Sequence, residues 1–275
     1  MWIWYLWLIL NISTQIKSTL KFSESNLKRA LKSLFLKPRK EVFLLEPQLG
    51  LGDSLINIGL IKTVSSTNPS RFYYYACLPS SLHSVNWIFR DLPNIYPTPV
   101  NSGKEARQLA DFYNCKHIYI GGPNLEERRF DEFYYKQHHV PFESRWSLAT
   151  TPSGPHADIL FERLNPKNEP YLLVNATQSG NAKYQLTIDN PSKKKVIEVY
   201  PATNNIYDWT KLVINADEIH TIDTSFVHFV ENIYALNSRQ GLFYHLARIS
   251  KTEFTRRLPW VSVDYDQSKN LLQKP

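Results

Sequence analysis

Residues 41–56 read Glu41-Val42-Phe43-Leu44-Leu45-Glu46-Pro47-Gln48-Leu49-Gly50-Leu51-Gly52-Asp53-Ser54-Leu55-Ile56. The run 41–46 has the length and apolar content of a buried strand, and Pro47 stops it. Gly50 and Gly52 let the backbone turn tightly, and helical spacing of apolar residues then runs from Asp53 to Val64. Strand, glycine turn and helix in this order open a unit of parallel sheet with a helix on its face.

The same alternation continues outward. Strands are expected at 71–76, 95–97 and 117–120, with helices at 84–90 and 104–113 between them. From 124 to 168 the pattern is charged, aromatic and broken by prolines, which reads as helical pieces leading into a connector. Alternation restarts with strands at 171–175, 195–200 and 218–222 and helices at 207–215 and 225–234. A helix at 242–249, a strand at 260–263 and a polar tail close the chain. Two such α/β halves predict two Rossmann-like domains, 41–165 and 166–275, facing a cleft. Ligands belong at the carboxyl ends of their strands.

The formal charge of +7 is a nucleic-acid signal only until it is located. Residues 1–40 carry eight Lys and Arg against Glu24, so eight minus one gives +7 and the other 235 residues balance to zero. The body is therefore not a basic protein, and nucleic acid is not an expected partner. The arm begins MWIWYLWLILNI, an apolar run shorter than the roughly 20 residues of a spanning helix. A basic amphipathic stretch follows, with Leu27, Ala30, Leu31, Leu34 and Phe35 on one face. Such an arm suits a peripheral anchor on the cytosolic face of a membrane, or equally a helix packed on the body. Cys77 and Cys115 lack CxxC partners, which argues against a disulfide framework and fits a cytoplasmic chain.

Three segments can carry chemistry, each with a plainer alternative. Asp53 sits at a helix start beside the glycines; it can act as a general base or simply cap its helix. Gly50, Gly52 and Asn57 would line the same end of the strand, as would Gly122 and Glu126 beyond the strand at 117–120. In Asn175-Ala-Thr177-Gln-Ser179-Gly-Asn-Ala-Lys183, the hydroxyls and Lys183 suit phosphate oxygens, or form a solvated loop. Asp223-Thr224-Ser225-Phe-Val-His228 ends a strand and opens a helix, where backbone N–H groups attract an anion. The alternative makes Thr224 or Ser225 an N-cap and His228 a packed histidine.

These pieces, in this order, resemble the GT-B glycosyltransferases related to bacterial heptosyltransferases, across roughly 41–265. Phe130-Asp-Glu-Phe-Tyr-Tyr135 and Val140-Pro-Phe-Glu-Ser-Arg-Trp146 are also similar to phrases in viral and bacterial glycosyltransferase-like proteins. The resemblance implies a GT-B-like fold, with an acceptor domain at 41–165 and a nucleotide-sugar-binding domain at 166–275. It implies transfer from a nucleotide-sugar co-substrate to a glycan or glycolipid acceptor, without metal or other cofactor. Asp53 would be the base of an inverting displacement. Thr177, Ser179 and Lys183 would bind phosphate, while Asp223, Thr224, Ser225 and His228 would hold the donor diphosphate. Ser225-Phe226 replaces the helix-opening glycine common in that family, which narrows the pocket.

Two readings compete with transfer. One is a non-catalytic nucleotide-sugar or glycan-binding protein on the same fold. The other, a dinucleotide oxidoreductase, lacks the GxGxxG fingerprint. Asp264-Tyr-Asp266 has the form of a metal-binding Asp-x-Asp, but it lies at the chain end and reads as polar tail. His138-His139 reads as loop.

Overall fold

The computed structural model describes residues 41–122, 129–149, 151–178, 182–233, 240–247, 253–265 and 272–273. Expectations placed on 1–40, Glu126 and Ser179 fall outside them. Residues 42–275 belong to one compact unit.

The first sheet is wholly parallel. It holds β1 (Val42–Glu46), β2 (Phe72–Cys77), β3 (Ile95–Pro99) and β4 (Lys116–Tyr119) in the order β3-β2-β1-β4. Helices α1 (Leu51–Ile56), α2 (Ile58–Thr67), α3 (Leu82–Ile88) and α4 (Gly103–Phe112) connect these strands. Helix α4 starts with Ser102 accepting from the Glu105 N–H at 3.2 Å, while the Glu105 carboxylate accepts from the Asn101 N–H at 2.8 Å. The first bond satisfies one of the donors a helix start leaves free, and the second ties the first turn to the residue before the cap.

The helix expected over 53–64 is in fact two, broken at Asn57. The Tyr135 hydroxyl is the cause. It donates to Ile56 O at 2.8 Å and accepts from Leu60 N at 3.2 Å, standing between a carbonyl and an amide that a continuous helix would pair. Tyr135 lies on α5 (Phe130–Gln137), which is followed by α6 (Ser144–Ser147) and α7 (Ala157–Leu164). The segment read as a connector is therefore packed structure. At Gly59 an added Cβ would stand 2.0 Å from the carbonyl oxygen of Ser144, so α2 and α6 touch backbone to backbone.

The second sheet is also parallel. It contains β5 (Tyr171–Asn175), β7 (Lys195–Glu198), β8 (Glu218–Thr221), β9 (Gly241–His245) and β10 (Val261–Val263) in the order β10-β9-β8-β5-β7. Helices α8 (Thr210–Asn215) and α9 (Ser225–Glu231) link its strands. A two-stranded antiparallel ladder pairs β6 (Lys183–Tyr184) with β11 (Leu272–Gln273). The helix expected at 242–249 is overturned: Gly241–His245 is strand β9, between β8 and β10. Its apolar run is too short to separate helix from strand by period. Alternating burial of Leu242 and Tyr244 beside half-exposed Phe243 is the strand pattern.

Each sheet has a point where the chain reverses its direction of build. It lies between β1 and β4 in the first sheet and between β5 and β8 in the second. Open parallel sheets bind ligands outside the carboxyl ends of the strands flanking that point. Those ends lead into Gln48–Asp53 and Gly121-Gly122 in one half, and into 176–183 and 222–225 in the other.

Candidate functional site

Both reversal points feed the same contact, because α1 follows β1, α9 follows β8, and the two helices pack together. Asn232, just past α9, donates its amide N–H to Leu55 O at 2.9 Å. Gly52 makes the approach possible. A Cβ there would lie 3.2 Å from Cδ2 and 3.8 Å from Nε2 of His228, and 3.6 Å from Cα of Ser225. Asp53 is the next residue.

The surroundings of Asp53 serve two roles at once. Its carboxylate turns back over the start of α1, so that a Cβ at Gly50 would stand 2.6 Å from Oδ2. Oδ1 accepts from the Tyr134 hydroxyl at 3.3 Å. Burial raises its pKa to about 6, against the hydrogen bond from Tyr134 and the backbone N–H groups of Asp53 and Gly50. A carboxyl with that pKa is ionised at neutral pH yet basic enough to take a proton from a reacting hydroxyl. Leu49, just before this turn, is held at φ 61°. A side chain there costs about 1–2 kcal/mol.

At the opening of α9, Thr224 is the N-cap: its hydroxyl oxygen accepts from Phe226 N at 3.3 Å. Asn175, at the end of β5, donates to the hydroxyls of Thr224 (2.6 Å) and Thr221 (3.1 Å). The two strands flanking the second reversal point are thus tied together. Ser225 is half-buried in the first turn, and Asp223 is half-buried before it. His228 is 5% exposed and packs edge-on against Phe254 at 4.5 Å between ring centres. Burial, and then the Arg145 cation, push its pKa well below the usual histidine value, so it is neutral at pH 7. Its Cδ2–Nε2 edge faces Gly52.

Not every expected residue reaches this contact. Asn57 is fully buried at the break between α1 and α2, beneath the site. Gly122 follows β4 with φ 107°. Thr177 forms an antiparallel bridge with Lys183, whose ammonium pairs with the Glu198 carboxylate at 2.7 and 2.9 Å. In this state Lys183 is neutralised by a partner on β7.

Sequence reading missed the residues that hold the contact. Asp131 and Arg145 form an ion pair with both side chains fully buried, and Asp131 Oδ2 also accepts from Thr255 N at 2.8 Å. Glu231, at the end of α9 and fully buried, accepts from Trp260 Nε1 (2.6 Å), Arg257 N (3.0 Å) and Leu258 N (3.3 Å). Residues 255–260 thereby strap α5 to α9. Asp131, Tyr134, Tyr135 and Arg145 all come from the phrases 130–135 and 140–146, so the signal was present without a role attached. In the first half, Glu46 ends β1 at 3% exposure and binds His117 Nε2 (2.6 Å) and Arg107 Nη1 (3.1 Å). A charge closing an apolar strand was its signal.

Among the described residues no helix is long and apolar enough to cross a membrane. No family model and no curated protein matches the chain. Solved structures do. The chain is similar to a family 9 glycosyl transferase from Veillonella parvula, with 9% identity over 84% of this chain and 90% of that one, at a TM-score of 0.53. It is also similar to the ADP-heptose lipopolysaccharide heptosyltransferase II of E. coli, with 10% identity over 81% of this chain and 90% of that one, at a TM-score of 0.52. The fold of this chain is the GT-B-like fold of those glycosyltransferases.

Proposed function

We propose that the chain is a glycosyltransferase that moves a sugar from a nucleotide-sugar donor to a glycan or glycolipid acceptor, inverting the anomeric centre. The observation that carries this reading is the partly buried Asp53 carboxyl, with its pKa near 6, directly beside the contact of Gly52 with Ser225 and His228. That contact joins the carboxyl ends of both sheets at their reversal points.

In the proposed reaction, Asp53 takes the proton of an acceptor hydroxyl while that oxygen attacks the anomeric carbon. The bond from that carbon to the donor phosphate breaks, and its electron pair leaves with the nucleoside diphosphate. Ser225 and the N–H groups of the first turn of α9 face the developing charge, and neutral His228 offers a donor from the same turn. Thr177 and Lys183 would complete the phosphate contacts once Lys183 leaves Glu198. No metal or other cofactor has a step in this scheme. Residues 1–40 would bring the enzyme to an anionic membrane surface on the cytosolic side.

A second reading, a non-catalytic nucleotide-sugar or glycan-binding protein, is favoured by two observations. Asp53 leans back on the start of its own helix, and Lys183 is occupied by Glu198. One experiment separates the readings. The chain is screened by thermal shift against ADP, UDP, GDP and CMP and their sugars, ADP-heptose included because the heptosyltransferase II of similar fold is named for it. A ligand at 100 times its dissociation constant adds about 2.7 kcal/mol of stability. The best donor is then offered with membrane glycolipid fractions to the wild type and to Asp53→Asn. Retained binding with abolished transfer supports the enzyme; binding without transfer in the wild type supports the binding protein.

A further inference from the structure

We propose that Tyr134 is a positioning residue for Asp53, its hydroxyl holding one carboxylate oxygen so that the other faces the acceptor. The inference rests on the reading of Asp53 as base and deepens it. Tyr134 and Tyr135 are adjacent, both fully buried, and their hydroxyls are used differently. The Tyr135 hydroxyl serves the backbone, between Ile56 O and Leu60 N. That of Tyr134 instead reaches from α5 to the Asp53 side chain, 81 residues away in sequence, at 3.3 Å from Oδ1.

Packing accounts for the Tyr134 ring, which meets Phe130 edge-on at 5.6 Å, but not for its oxygen. A phenylalanine would fill the same space. A buried hydroxyl needs an acceptor, and the one this hydroxyl meets is a carboxylate that is itself losing solvent. The two oxygens of Asp53 are thereby made unequal. Oδ1 is held by Tyr134, while Oδ2 lies over Gly50 and takes nothing from Tyr134. In the transfer step the acceptor proton passes to Oδ2, and Tyr134 keeps its own proton throughout. Because the hydroxyl donates to the charged form, it also makes Asp53 a weaker base than burial alone would.

The test uses the full-length chain with carbon-13 at aspartate Cγ, the Asp53 signal being identified by its loss in Asp53→Asn. The signal is titrated in the wild type, Tyr134→Phe and Tyr135→Phe. Removing a hydrogen bond to a charged group is expected to move the Asp53 midpoint up by about one pH unit in Tyr134→Phe. Tyr135→Phe is expected to leave it in place while lowering thermal stability. An unchanged midpoint in Tyr134→Phe overturns the proposal. If that variant does not fold, the wild-type Tyr134 Cζ signal decides: a step at the Asp53 midpoint supports the contact, and a flat line refutes it. Transfer activity retained in Asp53→Asn would instead remove the base reading, whatever the titration shows.

Discussion

Gly52 on α1 faces the ring of His228 on α9, so closely that a methyl group would stand 3.2 Å from Cδ2. The ring cannot retreat easily, because Phe254 lies against it and it is buried. Gly52→Val is therefore expected to push α1 and α9 apart, costing about 1–3 kcal/mol by overpacking. Gly52→Ala should cost less, since Ala recovers part of the strain through helix propensity. Urea midpoints for both variants check the order. A valine variant as stable as wild type would mean that the two helices are not packed as described.

Asp53 should weaken the fold it belongs to. Its pKa is raised from 3.8 to about 6, so between those pH values the folded chain binds more protons than the unfolded one. Stability then falls as pH rises through that window, and the full cost is present above pH 6. Allowing for its partial exposure, that cost is about 2 kcal/mol. Asp53→Asn is expected to be more stable than wild type at pH 7.5 and to lose that advantage near pH 4. A gain in stability accompanying a loss of transfer is the pattern of a functional residue rather than a helix cap. Thermal melts at the two pH values decide it, and a variant destabilised at pH 7.5 would favour the cap.

The buried Asp131–Arg145 pair makes a third prediction. Removing one partner leaves a charge in the protein interior, so Asp131→Asn is expected to destabilise by about 3–5 kcal/mol. Asp131→Leu combined with Arg145→Met removes both charges and should be much milder than the sum of the two single changes. Denaturant titrations of the four proteins give the coupling directly. If the two effects add, the pair does not act as a unit.

Why was the scaffold legible in sequence and the support of the site not? Strands such as Val42–Glu46 and Tyr171–Asn175 are short apolar runs closed by Pro47 or polar residues, and local pattern suffices to find them. The turn at Gly50–Gly52 and the N-cap at Thr224 are also local, and each stands where its motif put it. Tyr135 breaking the ladder between Ile56 and Leu60 is a contact over 79 residues, which no window on 53–64 contains. Gly241–His245 failed for another reason: its partners β8 and β10, not its own period, make it a strand. The pairing of Lys183 with Glu198 shows the same limit, since a lysine in a phosphate-type loop looks free until the neighbouring strand is known.

That lysine supports a test of the donor side. The Lys183–Glu198 pair is exposed, so Glu198→Gln should change stability by less than about 1 kcal/mol. If Lys183 is needed for the donor diphosphate, freeing it should tighten nucleoside diphosphate binding, while Lys183→Ala should weaken it. Calorimetric titration with ADP, or with whichever diphosphate the thermal screen selects, measures both. Equal affinity in all three proteins would remove Lys183 from the donor site.

The last prediction concerns a hydrogen-bonded line behind the same loop. Thr187 N donates to the Tyr265 hydroxyl at 2.9 Å, and that hydroxyl lies 2.7 Å from His245 Nδ1. His245 Nε2 meets His220 Nδ1 at 2.9 Å, and His220 Nε2 meets Glu218 at 3.3 Å. With both imidazoles neutral every bond in the line points one way, from Thr187 to the Glu218 carboxylate, which Lys194 also approaches. Burial, then neighbouring His220, lowers the pKa of His245 to about 4, and burial lowers that of His220 against the pull of Glu218. Both therefore bind protons more readily unfolded than folded. The stability these two histidines contribute is full above about pH 6.5 and falls as pH drops toward 4, by up to about 3 kcal/mol for His245 alone. His245→Gln should reduce the loss between pH 7 and 5 without abolishing it, because His220, His228 and His138, whose pKa values burial also lowers, still contribute, against the opposite slope of Asp53. In hydrogen exchange, corrected for its intrinsic pH dependence, the Thr187 amide should lose protection ahead of the β5 and β8 amides as pH falls. Loss of protection at all three together would mean that the line does not open before the sheet does.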